Sequence, residues 1–198
     1  MIKSKTDYKF YLKADKIALQ NTHRWHDYFL NYIWCYQRLL RKLEYFINCK
    51  KSPIWKPYIY YLKFRLTRQL GTKLGFVIPP NVFGPGLSIA HIGTIIVNPN
   101  VRVGENCRIH NCVHLGTKAH PKEESDRCPK IGNNVFIGPG SVIVGDINIA
   151  DNIAIGANSY VNSSFLEPGI TIAGAPAKKV SNKGFNRCYY KATNILRK

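Results

Sequence analysis

Aliphatic side chains recur at every sixth position through the middle of the chain. One run holds Val97, Val103, Ile109 and Leu115, and another holds Ile131, Ile137, Ile143, Ile149, Ile155 and Val161. A third, Val77, Phe83, Ile89 and Ile95, has the same spacing but is offset by two from the next. Helices repeat about every 3.6 residues and strands about every 2, so neither gives a period of six. Gly or Ala follows the aliphatic residue at Gly104, Gly116, Gly132, Gly138, Ala150 and Gly156. Four positions after it stands a small or aliphatic residue: Val101, Cys107, Val113, Val135, Ser141, Ile147, Ile153, Ser159. Turn formers, among them Asn133, Asn134, Pro139, Gly140, Asp151 and Asn152, fill the remaining positions, where a corner must be turned. This is the hexapeptide pattern of a parallel β-helix, in which each coil buries its aliphatic residues against its neighbours. Cys107 occupies a small-residue position and is assigned to packing. The run breaks at Thr117–Lys130, a polar, charged, non-periodic stretch that predicts a loop thrown out from one corner.

The first third reads as helical. Phe29, Ile33, Tyr36, Leu40, Leu43 and Ile47 form one apolar helix face, with Arg38, Arg41 and Lys42 off it and Asn21 or Thr22 as the cap. Ser52-Pro53 opens a second helix, whose face Ile59, Leu62, Leu66 and Leu70 runs until Gly71 stops it. A short helix is expected around Asp7 to Leu19. Trp25, Trp34, Trp55 and the Tyr58-Tyr60-Tyr61 group fit either packing against the coil or another subunit, or contact with a membrane interface. The last 18 residues lack a clear period and read as a mobile basic tail. The chain thus divides into a helical segment (1–75), a β-helix mainly of β structure (76–180) and a tail (181–198).

Charge follows that division. Of the net +18, residues 1–75 carry +12, residues 76–176 carry −1 and residues 177–198 carry +7. The repeats have no basic excess to grip phosphates, which argues against nucleic acid. Attraction of the ends to an anionic membrane surface or a phosphate-bearing substrate is one explanation, and plain solubility the other. No apolar stretch reaches the roughly 18 residues of a membrane-spanning helix. The N-terminus has no apolar signal core, so a cytoplasmic location is expected, at the inner face of the membrane if the basic ends bind it. The six cysteines show no CxxC or zinc spacing and read as reduced thiols.

Three stretches, FGPGLSIAHIGTIIV (83–97), DRCPKIGNNVFIGPGSVIVGDI (126–147) and IAIGANSYV with ITIAGAPAKKV (153–180), resemble the left-handed β-helix acyltransferases. Within them the chain resembles the serine acetyltransferase branch, and most closely its members encoded with bacterial surface-polysaccharide genes. The resemblance implies a left-handed coil, a homotrimer, acetyl-CoA as donor with no metal, and sites in grooves that a second chain completes. It places the catalytic histidine at His91, a general base beside the break in the repeat, which can push the side chain outward. The coenzyme-binding positions become Thr117, Pro139, Ala157, Pro176 and Lys178, with Lys179 as an alternative partner for a phosphate. On the acceptor side stand Arg127, Cys128 and His120, the last also a second candidate base. His110 and His114 are assigned to coil surface or groove lining, and His23 and His26 to structure.

Departures from that branch decide the acceptor expectation. Ala90 and Phe76 stand where serine acetyltransferases carry aspartates, and their Asp-Arg-His-Pro loop motif reads Asp126-Arg127-Cys128-Pro129. Without those carboxylates the ammonium group of serine would be desolvated unpaired. The expectation is therefore a sugar hydroxyl of a surface polysaccharide or its precursor, with Phe76 or Phe83 stacking on the ring, and serine as the alternative. A loop carboxylate (Glu123, Glu124 or Asp126) of a neighbouring chain is the candidate to orient His91. Two other classes share the fold. A γ-type carbonic anhydrase needs three aligned histidines, and His91, His110 and His114 do not fit an 18-residue coil. A non-catalytic trimeric scaffold would bind no acetyl-CoA.

Overall fold

The computed structural model describes residues 1–20, 31–118, 128–185 and 191–197. Helix α1, Lys5–Ala18, starts where the Ser4 hydroxyl accepts from the Asp7 N–H at 3.0 Å. Helix α2, Tyr32–Cys49, is capped by Asn31, whose side chain accepts from the Trp34 N–H. Asn21, Thr22, Trp25 and Phe29 lie outside the described residues. Tyr36, Leu40 and Leu43 are buried against the coil as their spacing predicts. Arg41 is not off the buried face, however. It is fully buried, because a partner held elsewhere in the fold neutralises it.

That partner is Asp15 of α1. Arg41 Nε donates to Asp15 Oδ2 at 2.7 Å and Nη1 donates to Glu44 Oε2 at 3.0 Å. The remaining guanidinium hydrogens reach Asp15 Oδ1 at 3.3 Å and the carbonyls of Phe83 and Gly84 at 2.9 and 2.7 Å. Asp15 Oδ1 also accepts from the N–H groups of Gly86 and Leu87, and Glu44 Oε1 from that of Asn81. Two helices and the first coil thus share one ionic centre. Burial by itself would lower the Arg41 pKa, but Asp15 and Glu44 raise it, so the guanidinium stays charged.

A 3₁₀ turn, Pro53–Trp55, leads into α3, Lys56–Phe64, with no side-chain bond from Ser52. The helix then widens into a π-segment, Arg65–Gly71, and ends with the turn α4, Thr72–Leu74. Leu62, Leu66 and Leu74 are buried. Gly71 does not stop the helix. A Cβ there would lie 2.7 Å from the carbonyl oxygens of Leu66 and Phe76, so glycine is needed for close approach. The stop is Gly75, in the left-handed conformation at φ 78°.

The coil has three faces. Sheet A contains Phe76–Val77, Ile95–Val97, Val113–Gly116, Val142–Val144 and Tyr160–Val161. Sheet B contains Arg102–Val103, Lys130–Ile131 and Asn148–Ile149. Sheet C runs from Ser88–Ile89 through Arg108–Ile109, Phe136–Ile137 and Ala154–Ile155 to Thr171–Gly174, and the antiparallel Ala177–Ser181 closes it. The six-residue repeat is one strand and one corner. Val97 pairs with Leu115 and Ile143 with Val161, steps of 18 residues, while Leu115 pairs with Ile143 across the loop. Ile89 pairs with Ile109, a step of 20, and this is the physical origin of the two-residue offset. Ile95 is also inward, but it pairs with Val113 rather than Leu115.

Three further expectations are corrected. Val77 points outward at 58% exposure and Phe76 points inward at 2%. Phe76 packs edge-on against Tyr36 at 5.1 Å, and Phe83 is 4% exposed, so neither ring is free to stack on a sugar. The C-terminal segment also carries a docked helix, α5, Ala192–Leu196. Ala192 and Thr193 are fully buried, Thr193 exchanges hydrogen bonds with Asn106, and Arg197 pairs with Glu105 at 2.6 Å. Asn106 heads a ladder with Asn134 and Asn152, all three in the left-handed region that asparagine tolerates at a corner. A five-residue helix has little stability alone, and its period is too short to recognise.

Asp15→Ala takes one of its two carboxylate partners from the buried Arg41 and leaves two backbone donors unpaired, with an expected loss of about 3–5 kcal/mol. Glu105→Gln breaks an exposed pair and is expected to cost under about 1 kcal/mol. Thermal denaturation followed by circular dichroism measures both; equal midpoints for the two variants would show that the ionic centre does not hold the helices to the coil.

Candidate active site

The corner between sheets C and A repeats in every coil, and it gathers most of the proposed site. In order it holds Ala90–Thr94, His110–Cys112, Gly138–Ser141 and Gly156–Ser159, and the hairpin turn Gly174–Pro176 between two strands of sheet C follows. Pro139 and Ala157 are stacked one coil apart, and the Asn158 N–H donates to the Pro139 carbonyl at 2.8 Å. Small residues are required here by the stacking itself. A Cβ on Gly138 would come within 2.7 Å of the Ala157 nitrogen, and one on Gly156 within 2.9 Å of the Ala173 Cβ. The corner is thus a shallow backbone surface on which Pro139, Ala157 and Pro176 are exposed.

His91 sits at the head of this column, within the two additional residues of the 20-residue coil. A corner that must house two extra residues bulges, and His91 is exposed. Among the described residues it makes no hydrogen bond or ion pair. Its neighbour is the ring of His110 on the next coil, with centroids 5.4 Å apart and planes at 59°. His110 in turn packs edge-on against Phe136 at 5.0 Å, and Phe136 against Phe185 at 5.4 Å. Burial, then the Arg108 and His91 charges, hold His110 below the usual histidine range. It therefore stays neutral at neutral pH. Arg108 itself donates from Nη1 to the Ser88 hydroxyl at 2.8 Å.

The sequence pointed to His91 but not to its neighbour. Counting 18 residues from His91 reaches Ile109. Adding the two-residue break brings His110 level with Ala90, whose N–H donates to the Ile109 carbonyl at 2.9 Å. That break was the available signal. His114 lies elsewhere, exposed on the outer face of sheet A between Ile96 and Val142. Among the described residues no three metal-ligating side chains converge.

The rest of the predicted set divides. Lys178 is exposed on the closing strand and makes no ion pair among the described residues, whereas Lys179 is held by Glu167 at 2.6 Å. Thr117 is half-buried at a different corner, between sheets A and B, where the loop leaves. Cys128 must be withdrawn from the acceptor side, because it is 2% exposed and belongs to the aliphatic core. It enters the coil just before Lys130–Ile131, and a small apolar thiol suits that position. Burial likewise pushes the Cys107 thiol up to about 12. His120, Glu123, Glu124, Asp126 and Arg127 lie outside the described residues.

A coil of stacked hexapeptides with an exposed histidine at a broken corner defines a class, and comparison with known proteins agrees. The bacterial transferase hexapeptide model (six repeats) matches residues 128–163. A serine acetyltransferase of Helicobacter pylori is 33% identical over 124 residues, covering 62% of this chain and 71% of that protein. The chain belongs to the hexapeptide-repeat transferases. A serine acetyltransferase of Staphylococcus epidermidis is 36% identical over 126 residues, 63% of this chain, and the match spans 58% of that relative's length. The crystal structure of serine acetyltransferase in complex with coenzyme A from Brucella abortus strain S19 superposes with a TM-score of 0.68 at 27% identity. It covers 90% of this chain and 68% of that one.

Alkylation of the native protein with iodoacetamide, read by mass spectrometry, is expected to modify the exposed Cys112 and to spare Cys107 and Cys128 until denaturant is added. Rapid native labelling of Cys128 would return it to the surface and to the acceptor site.

Proposed function

We propose that the protein is an acetyl-CoA-dependent O-acetyltransferase with His91 as general base. The observation that carries this is the position of His91, exposed at the broken corner and heading the column that Pro139, Ala157 and Pro176 continue. The acceptor hydroxyl gives its proton to His91 as its oxygen attacks the thioester carbonyl. The C–S bond then breaks, and the departing coenzyme sulfur takes the proton from His91. Transfer is direct, since Cys128 is buried and the family pattern has no acyl-enzyme. The pantetheine arm lies along the small-residue corner, and Lys178 meets a coenzyme phosphate as a point charge.

Three copies of the chain supply the rest of the site. The outer row of sheet A runs Val77, Ile96, His114, Val142 and Tyr160, with Val77 58%, Ile96 39% and Tyr160 37% exposed. A row on one face of the coil that is apolar at every position but His114 fits an interface between copies of the chain. When sheet A of each chain faces a threefold axis, the C–A corner of one chain meets the A–B corner of the next. His91 of one chain is then joined by Thr117 of its neighbour, from corners that one chain keeps apart.

For the acceptor we favour a sugar hydroxyl of a surface polysaccharide or its lipid-linked precursor. Support comes from Ala90 and the inward Phe76, which leave no carboxylate at the two positions where the serine enzymes have one. The names of the relatives favour serine, which stands as the second reading. A basic, aromatic face around α3, with Tyr60 70%, Tyr61 51% and Phe64 54% exposed, fits the headgroup level of an anionic membrane and would bring a lipid-linked acceptor within reach. Among the described residues no helix is long and apolar enough to cross a membrane.

Coenzyme release measured with L-serine and with a panel of oligosaccharides is the deciding assay. His91→Ala is expected to lower turnover by about 100-fold or more with coenzyme binding retained. Near-normal turnover of that variant would overturn the base assignment, and turnover of serine with none on any saccharide would overturn the sugar acceptor. Light scattering is expected to give a trimer. A monomer at micromolar concentration would remove the two-chain site.

A further inference from the structure

The four rings His91, His110, Phe136 and Phe185 form a continuous column from the candidate base to the C-terminal segment. Successive centroids are 5.4, 5.0 and 5.4 Å apart. The far end of the column is anchored on both sides. The Phe185 N–H donates to the Asn152 carbonyl at 2.9 Å. Gly184 is wedged so tightly that a Cβ would meet that same carbonyl oxygen and the Gly169 backbone. Beyond the segment 186–190, α5 is pinned to Asn106 and Glu105. The near end is not anchored by polar contacts: His91 makes no hydrogen bond or ion pair among the described residues, and it stands on a bulged corner. A base in that position owes its orientation to whatever packs against its ring, and the ring there is His110.

We propose that His110 is the positioning residue for His91, and that the C-terminal segment, through Phe185 and Phe136, is the buttress of the base. The role rests on ring packing, not on proton transfer. His110 has no hydrogen bond to His91, it is neutral at neutral pH, and its other face is covered by Phe136. Here a column of rings, tilted at both ends and edge-on between His110 and Phe136, restricts the base by contact. Loose packing would let His91 occupy several rotamers, only some of which point at the acceptor hydroxyl. The loss therefore falls on the chemical step and not on coenzyme affinity.

The inference rests on His91 being the base, so the experiment keeps the two separable. His91→Ala, His110→Ala, His110→Phe and Phe185→Ala are compared with the parent enzyme in the coenzyme-release assay, together with their melting temperatures. His110→Ala is expected to lower kcat by about 10-fold or more with KM for acetyl-CoA within about twofold of the parent. His110→Phe restores the ring without its nitrogens and is expected to keep kcat within about threefold of the parent. Phe185→Ala, at the far end of the column, is expected to lower kcat in the same direction with a smaller change. A parental kcat in His110→Ala beside an inactive His91→Ala overturns this proposal alone. Equal losses in His110→Ala and His110→Phe at parental melting temperature overturn ring packing, since they would give the imidazole nitrogens the role. Full activity of His91→Ala overturns the base assignment and this proposal with it.

Discussion

A hexapeptide coil cannot bury its own aliphatic row, because each inward side chain is covered above and below by its equivalents in adjacent coils. Val97 on Leu115 and Ile143 on Val161 are instances, and the ladder holds only while every coil keeps register. The requirement is severe at the two ends, where one face of a coil has no neighbour. At the N-terminal end, α2 lays Tyr36, Leu40 and Leu43 over the first coil, and the Arg41–Asp15–Glu44 centre ties that cover to the backbone of residues 81–87. At the other end the antiparallel strand Ala177–Ser181 folds back on the last coil. The C-terminal helix then returns to the N-terminal end and packs on α1, where Ala192 meets Ala14 and Ala18.

The stacking distance explains both what the corners permit and where the chemistry lies. Coils this close tolerate only small residues at the C–A corner, so a long thin ligand can lie on backbone there but a deep pocket cannot form. A reactive side chain needs room to leave that surface, and the single coil with two extra residues provides it. His91 occupies that bulge. The consequence is a histidine that, among the described residues, has no polar support, and whose proposed positioning falls to packed rings.

Charge is kept away from the coil interior. The excess of lysine and arginine resides in the helical segment and the C-terminal stretch, and the repeats are nearly neutral. Among the described residues the buried charges gather with Asp15 and Glu44 at the seam between the helices and the first coil, and Arg41 is the cation there. It is tolerated because each guanidinium hydrogen finds an acceptor, two of them backbone carbonyls that a hydrophobic substitute would leave unsatisfied.

Periodic features were legible in the sequence because periodicity is a local property. The six-residue run, the small residues beside it, the helix face of Tyr36, Leu40 and Leu43 and the break that exposes His91 all follow from spacing alone. What spacing does not encode is contact between segments distant in the chain. Arg41 looked like a surface residue because its partner Asp15 lies in another helix. Phe76 and Val77 exchanged faces because a short strand of two residues has no alternation to read. Cys128 was placed on the acceptor side beside a charged loop, yet it is buried on re-entry to the coil. The C-terminal helix carries no signal of its own, since its stability comes from Asn106, Glu105 and α1, some 90 residues and more away in sequence. The two-residue break sets the coil length, but the contact between the His91 and His110 rings depends on how the bulged corner turns, and tertiary structure alone decided it.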